Sequence, residues 1–192
     1  MKTLVFATQN PNKIKEIQLL LTEKYEVKGL EQTDITEEIP ETGDTLEANA
    51  IQKAEYVYHK TGMNCFADDT GLEVTALGGA PGVYTARYAG PEKDADKNMK
   101  KLLYELEGES NRKAQFKTVI ALIVEGEVET FEGIAKGTIA ETTSGHEGFG
   151  YDPVFIPEGY EITFAQMSLK EKNKLSHRAK AIEKLTTFLS EK

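Results

Sequence analysis

Thr3-Leu4-Val5-Phe6-Ala7-Thr8-Gln9-Asn10-Pro11-Asn12-Lys13 is the stretch whose reading decides the fold class. Thr3 to Ala7 is a β-type run. Asn10-Pro11 then supplies a side-chain cap followed by proline at the first helical position, where a missing N–H costs nothing. Ile14, Ile17, Leu20 and Leu21 recur at helical spacing, so the helix starting there buries one face. A short strand around Tyr25 to Gly29 completes a β-α-β opening.

The alternation continues down the chain. Asp34 to Thr42 reads as an acidic loop. Asp44-Thr45-Leu46-Glu47 resembles a capping box with Asp44 in the cap position, and Leu46, Ala50, Ala54, Val57 and Tyr58 line one face of the next helix. Asn49 and Lys53 lie on a neighbouring stripe. Cys65-Phe66-Ala67 reads as a buried strand ending at Asp68-Asp69-Thr70-Gly71, with Leu72 to Ala76 continuing beyond a bend. Gly78 to Gly82 is a loop, and Asp94 to Leu106 a helix. Phe116 to Val124 and Val128 to Ile139 form a hairpin about Glu125-Gly126-Glu127. Gly145 to Gly150 is a loop, Val154 to Ile156 a short strand, and Ser176 to Leu189 a terminal helix. A hairpin cannot be parallel, so the expectation is an α/β chain with a mixed sheet, organised as one domain over residues 1–192.

Composition excludes several classes. A formal charge of −9 argues against a nucleic-acid binder, which draws its affinity from a basic surface. An isolated phosphate compound needs only a local cluster of Lys and Arg. The opening apolar stretch is too short for a signal peptide, and no run approaches the ~18 apolar residues of a membrane helix, so a cytoplasmic protein with no membrane partner is expected. Cys65 is the single cysteine and reads as a core residue.

Five features could carry chemistry. Thr8 to Lys13 sits where the first strand becomes the first helix, so backbone N–H groups, the positive dipole end and Lys13 converge on a point that suits phosphate; an ordinary capped helix is the alternative. Asp68 and Asp69 are paired carboxylates, able to hold a divalent cation or to push their pKa values apart so that one serves as a base; an Asx turn is the plainer reading. Glu41 is a possible second metal ligand. Lys172, Ser176, His177 and Arg178 form a polar group at the start of the last helix, and Phe149-Gly150-Tyr151-Asp152 offers a ring and a carboxylate on a glycine-flanked loop.

Taken together and in order, seven motifs resemble the inosine triphosphate pyrophosphatase family. They are Thr8-Gln9-Asn10 with Lys13, Glu41-Thr42-Gly43, Glu47 to Ala50 with Lys53, Ala67 to Leu72, Leu77 to Gly82, Gly148 to Pro153, and Ser176-His177-Arg178. The resemblance implies an elongated mixed sheet flanked by helices in two lobes with a central cleft, a homodimer, and Mg²⁺-dependent hydrolysis of non-standard purine nucleoside triphosphates to monophosphate and pyrophosphate. Gln9 stands where the family usually has glycine, and Pro40-Glu41 where many bacterial relatives have two acidic residues; Glu41 is favoured over Glu38 as the metal ligand.

Carried over by resemblance, the segment Thr8, Gln9, Asn10, Pro11, Asn12 and Lys13, with the charges of Lys53 and Lys172, would hold the substrate's phosphates, and Thr70 would bind substrate. Asp69 and Glu41 would bind Mg²⁺, and Asp69 would also deprotonate the attacking water. Phe149 would stack on the purine within the loop Phe149-Gly150-Tyr151-Asp152, Asp152 would accept from a ring N–H, and His177 and Arg178 would donate to the 6-oxygen that adenine lacks. A non-catalytic nucleotide-binding module of the same fold, and an aspartic protease read from Asp69-Thr70-Gly71, are the alternatives; the single copy of that motif and the helices oppose the latter.

Overall fold

Asn10 caps the first helix as its position beside Pro11 predicts: its Oδ1 accepts from the backbone N–H groups of Asn12 and Lys13 at 3.0 and 3.4 Å. That cap joins strand β1 (Lys2–Phe6) to helix α1 (Pro11–Leu20). The computed structural model describes residues 2–21 and 25–191, so Met1 of the opening stretch lies outside it. Strand β2 (Tyr25–Lys28) returns parallel to β1, with Leu4 opposite Val27. Strand β3 (Cys65–Val74) lies parallel on the other side of β1, placing Phe6 opposite Phe66, whose rings stack at 4.5 Å.

Two expectations are corrected here. Helix α2 (Leu46–Thr61) is capped by Thr45, not Asp44: the Thr45 hydroxyl accepts from the Ala48 N–H at 3.0 Å. This moves Glu47 out of the position a capping box requires, and it accepts from the Thr130 hydroxyl instead. Second, β3 does not end at Asp68-Asp69. It runs unbroken to Val74 because Leu72 and Val74 are fully buried, so apolar burial carries the strand past Gly71.

Beyond β3 come α3 (Ala95–Glu105), capped by Asp94, and the strands β4 (Lys113–Val124) and β5 (Glu127–Ile139). The two-residue turn between them holds Glu125 and Gly126 at φ 53° and 86°, the left-handed pair that suits the twist of a hairpin. Strand β6 (Phe155–Pro157) is antiparallel to β5, and the short α4 (Leu169–Lys172) leads to α5 (His177–Ser190). The sheet order is β2-β1-β3-β4-β5-β6, a mixed sheet as expected.

The chain divides into two compact units. The first comprises Met1–Asp69, Thr118–Gly133 and Arg178–Lys192; the second comprises Thr70–Lys117 and Ile134–His177. Each has its own core. In the first, Leu4, Phe6, Ile17 and Phe66 pack with Ile120, Ile182 and Leu185. The second is built on Leu72, Leu102, Phe116, Phe155 and Phe164. Cys65 is buried and its thiol donates to the Ala54 carbonyl, which agrees with a core role. Among the described residues, no helix is long and apolar enough to cross a membrane.

Candidate active site

Alternation along β3 sends the side chains of successive residues to opposite faces, and this separates the two aspartates. Asp68 accepts from Lys13 Nζ at 2.9 Å and from the Arg178 guanidinium at 3.3 Å. Arg178, fully buried at the start of α5, also pairs with Glu16 of α1. The Asp69 carboxylate instead lies 3.5 Å from Lys53 Nζ, which also donates to Glu41 at 2.6 Å and to the Asp68 carbonyl at 2.6 Å. The pair therefore does not act as two carboxylates closing on one cation. Asp69 and Glu41 are the two that meet, on Lys53.

The electrostatics follow from these partners. Burial by itself raises a carboxyl pKa, but at Asp68 the charges of Lys13, Arg178 and Lys53 outweigh it and hold the group well below the usual carboxylate range. At Asp69 burial wins: with Glu41 adding repulsion, it raises the pKa against the pull of Lys53. The two aspartates are thus pushed in opposite directions. Lys13 is lowered by burial and by the neighbouring cations, in spite of Asp68.

The segment before Lys13 is built from local bonds. Thr8 Oγ1 accepts from the Asn10 N–H at 3.1 Å, and Gln9 Nε2 donates to the Glu37 carbonyl at 3.3 Å, while Pro11 and Asn12 are exposed. Gln9, the residue that departs from the family pattern, thus reaches the acidic loop carrying Glu41.

Within the second unit a different group assembles. Lys172 is buried and donates to Asp152 Oδ2 at 2.7 Å, its ammonium 4.9 Å from the centre of the Phe149 ring. The same carboxylate accepts from the Phe149 N–H at 3.0 Å. Gly148 must be glycine here: its φ is +72°, and any Cβ would strike Asp152 Oδ2. Tyr151 points into the core and donates to the Thr85 carbonyl at 2.8 Å, so it shapes the loop from beneath. His177 stacks on Phe116 at 4.6 Å. Lys172, expected with the phosphate-holding lysines, pairs with Asp152 beside Phe149, because an ammonium this deep needs a carboxylate partner.

Glu16 was missed by the sequence reading. Its signal was present: Glu16 lies three residues after Lys13 and beside Ile17, on the inward face of α1, and a glutamate there requires a buried cation. No local pattern named Arg178 as that cation.

The Ham1 family pattern matches residues 4–188. The chain belongs to the Ham1 family. A relative from Flavobacterium johnsoniae, named dITP/XTP pyrophosphatase, is 57% identical over 97% of both chains. One from Bacillus subtilis with the same name is 47% identical over 98% of both. Among solved structures, a HAM1 protein from Coxiella burnetii superposes with a TM-score of 0.92 at 38% identity, each chain fully covered. The Staphylococcus aureus Ham1 protein gives 0.89 at 40% identity over 98% of each. Membership agrees with the assignment that the seven motifs imply, and the mixed α/β fold is that of the family.

Proposed function

We propose that this chain hydrolyses non-standard purine nucleoside triphosphates, those of inosine, deoxyinosine and xanthosine, to the monophosphate and pyrophosphate, with Mg²⁺ as cofactor. The observation that carries the reading is the meeting of Asp69 and Glu41 on Lys53, in the same unit as Lys13 at the capped start of α1. The names of the relatives at 57% and 47% identity support the substrate class.

The residues present fit the cofactor. Mg²⁺ takes one or two carboxylates together with waters and phosphate oxygens, and Asp69 with Glu41 supplies that set. When bound, the ion contributes positive charge at the phosphates. Lys13 and Lys53 add two more charges, and the backbone from Thr8 to Lys13 offers N–H groups at a helix start. Thr70 follows Asp69 on β3 and is assigned to the substrate with it. Phosphoryl transfer asks mainly for positioning and charge, so no nucleophilic side chain is required. Asp69 takes the proton of the attacking water. Its raised pKa suits a base, because proton affinity drives the transfer.

For the purine, Phe149 stacks on the base, Asp152 accepts from a ring N–H, Lys172 holds Asp152, Gly150 and Tyr151 shape the loop, and His177 is assigned to the 6-oxygen. Arg178 is assigned to the 6-oxygen on the family resemblance alone. Adenine presents an amino group at that position and leaves the donors unpaired, a penalty that reaches about 10⁴-fold in sites built to hydrogen-bond a substrate group. The protein acts in this reading as a cytoplasmic homodimer.

The test is pyrophosphate release from a panel of standard and deaminated nucleotides, with Mg²⁺ and with chelator. Release from inosine and xanthosine triphosphates, strongly reduced for adenosine triphosphate and abolished by chelator, is expected. Equal release from all purines removes the selectivity, and full activity in chelator removes the metal. Binding without release establishes a non-catalytic module.

A further inference from the structure

Three consecutive residues of the loop that carries Glu41 are each held by a different residue of α2. Glu41 Oε1 accepts from Lys53 Nζ at 2.6 Å. The Thr42 N–H donates to Gln52 Oε1 at 2.9 Å, and Gln52 Nε2 donates back to the Thr42 hydroxyl at 3.0 Å. The Gly43 N–H donates to Asn49 Oδ1 at 2.7 Å. Loop and helix thus run past each other rung by rung, 41 against 53, 42 against 52, and 43 against 49.

The geometry points to Gln52 and Asn49 as positioning residues that fix the Glu41 carboxylate in its place opposite Asp69. Neither residue is needed for α2 to form, since the helix has its own cap at Thr45 and its own buried face. Both amides are spent on the loop. Asn49 makes the point most sharply: it is buried to 1% exposure, its Oδ1 serves Gly43, and its Nδ2 has no hydrogen-bond partner among the described residues. A fold that only needed volume there would be better served by an apolar side chain, because a buried unpaired donor is costly. Gly43 is fitted to the same contact, as a Cβ there would stand 2.8 Å from the Ala48 Cβ and 2.9 Å from Asn49 Oδ1.

The loop has no regular structure of its own between Thr33 and Thr45, so its backbone beside Glu41 is tied to α2 by the Gln52 and Asn49 rungs. Lys53 is shared with Asp69 and with the Asp68 carbonyl. The Gln52 fork fixes the backbone one residue from Glu41, and Asn49 fixes it two residues away. Groups that orient a metal-binding carboxylate typically change metal affinity by about 10- to 100-fold when removed.

This inference rests on the proposed Mg²⁺ role of Glu41, and the experiment separates the two. Mn²⁺ is titrated into the apo protein and free ion is read by electron paramagnetic resonance, for wild type, Gln52→Met and Gln52→Glu; pyrophosphate release against Mg²⁺ concentration is measured in parallel. Gln52 is half-exposed, so its variants fold. Gln52→Met keeps the shape and loses both hydrogen bonds to Thr42. It is expected to weaken Mn²⁺ binding about tenfold, to raise the Mg²⁺ needed for half-maximal rate by a similar factor, and to leave kcat at saturating Mg²⁺ within about twofold of wild type. Gln52→Glu can accept from both the Thr42 N–H and the Thr42 hydroxyl, and restores binding. Unchanged Mn²⁺ affinity in Gln52→Met, or an equal loss in Gln52→Glu, overturns the positioning role. A wild type that binds no Mn²⁺ and needs no metal for activity overturns the metal reading itself. Asn49→Leu serves as the second rung's test, with hydrogen exchange at Gly43 as its readout: faster exchange with intact melting is expected, and protection equal to wild type counts against the rung.

Discussion

Asp68 and Asp69 are neighbours on one strand, yet Asp68 is bonded to Lys13 at 2.9 Å while Asp69 lies 3.5 Å from Lys53. Strand alternation sends the two side chains to opposite faces, and the partners waiting on each face give two identical side chains different tasks. Asp68 ties α1 and α5 to the sheet through Lys13 and Arg178. Asp69 is left with Glu41 and Lys53, where the proposed base and metal ligand stand.

Asp69→Asn is therefore expected to abolish pyrophosphate release with little loss of folding, because the amide keeps the shape and removes the proposed base. General-base contributions are typically 10²-fold or more. Single-turnover rates and a thermal melt check this together; a variant retaining more than about a tenth of wild-type rate excludes Asp69 as the base.

Arg178 carries a stability load that any kinetic test must respect. Arg178→Ala removes the guanidinium that Glu16 and Asp68 share in the buried interior, a loss of about 3–5 kcal/mol, which for a chain of this size lowers Tm by about 6–20 °C. Double-mutant analysis with Glu16→Gln should recover part of that loss. The milder Arg178→Lys keeps the charge and serves for kinetics. If Arg178 donates to the purine 6-oxygen, the ratio of kcat/KM for inosine over adenosine triphosphate narrows by about tenfold or more. An unchanged ratio confines Arg178 to holding Asp68.

Acid should release the Asp68 network. Its folded pKa is depressed, chiefly because Lys13, Arg178 and Lys53 overcome the effect of burial, so the stabilisation is complete above the ordinary carboxylate value of about 3.9 and is lost as pH falls below it. The stability gap between wild type and Asp68→Asn, from urea midpoints, is expected to be constant above about pH 5 and to shrink toward pH 3. A gap that grows in acid contradicts the sign.

Burial pushes the Cys65 thiol up to about 12. The folded state then keeps a proton that the unfolded thiol loses near 8.5, so this residue's contribution to stability declines as pH rises above that value. At pH 8 the native protein should not react with a thiol reagent over minutes, whereas protein unfolded in urea should react at one thiol per chain. Rapid labelling of the native state would place Cys65 at an accessible surface.

What could be read from the sequence was local. Asn10-Pro11 forecast the start of α1 because a cap and an N1 proline act within one turn, and the apolar spacing of α2 forecast its buried face. Where two local solutions competed, the forecast slipped: Asp44 and Thr45 are both good caps, and the register of α2 on its core chose Thr45. The end of β3 slipped for a similar reason. Asp-Asp-Thr-Gly has the composition of a turn, but Leu72 and Val74 supply apolar burial that outweighs it.

The sequence by itself determined the mixed α/β class, the order of elements and the motifs that carry the family resemblance, because periodicity and capping depend on neighbours a few residues apart. Only the tertiary structure decided which charge meets which. Arg178 finds Asp68 across 110 positions and Glu16 across 162, and Lys172 finds Asp152 across 20. A buried charge must be paired, but the requirement does not name the partner. Packing of α1 and α5 in the first unit, and of the loop before β6 in the second, brings those partners together.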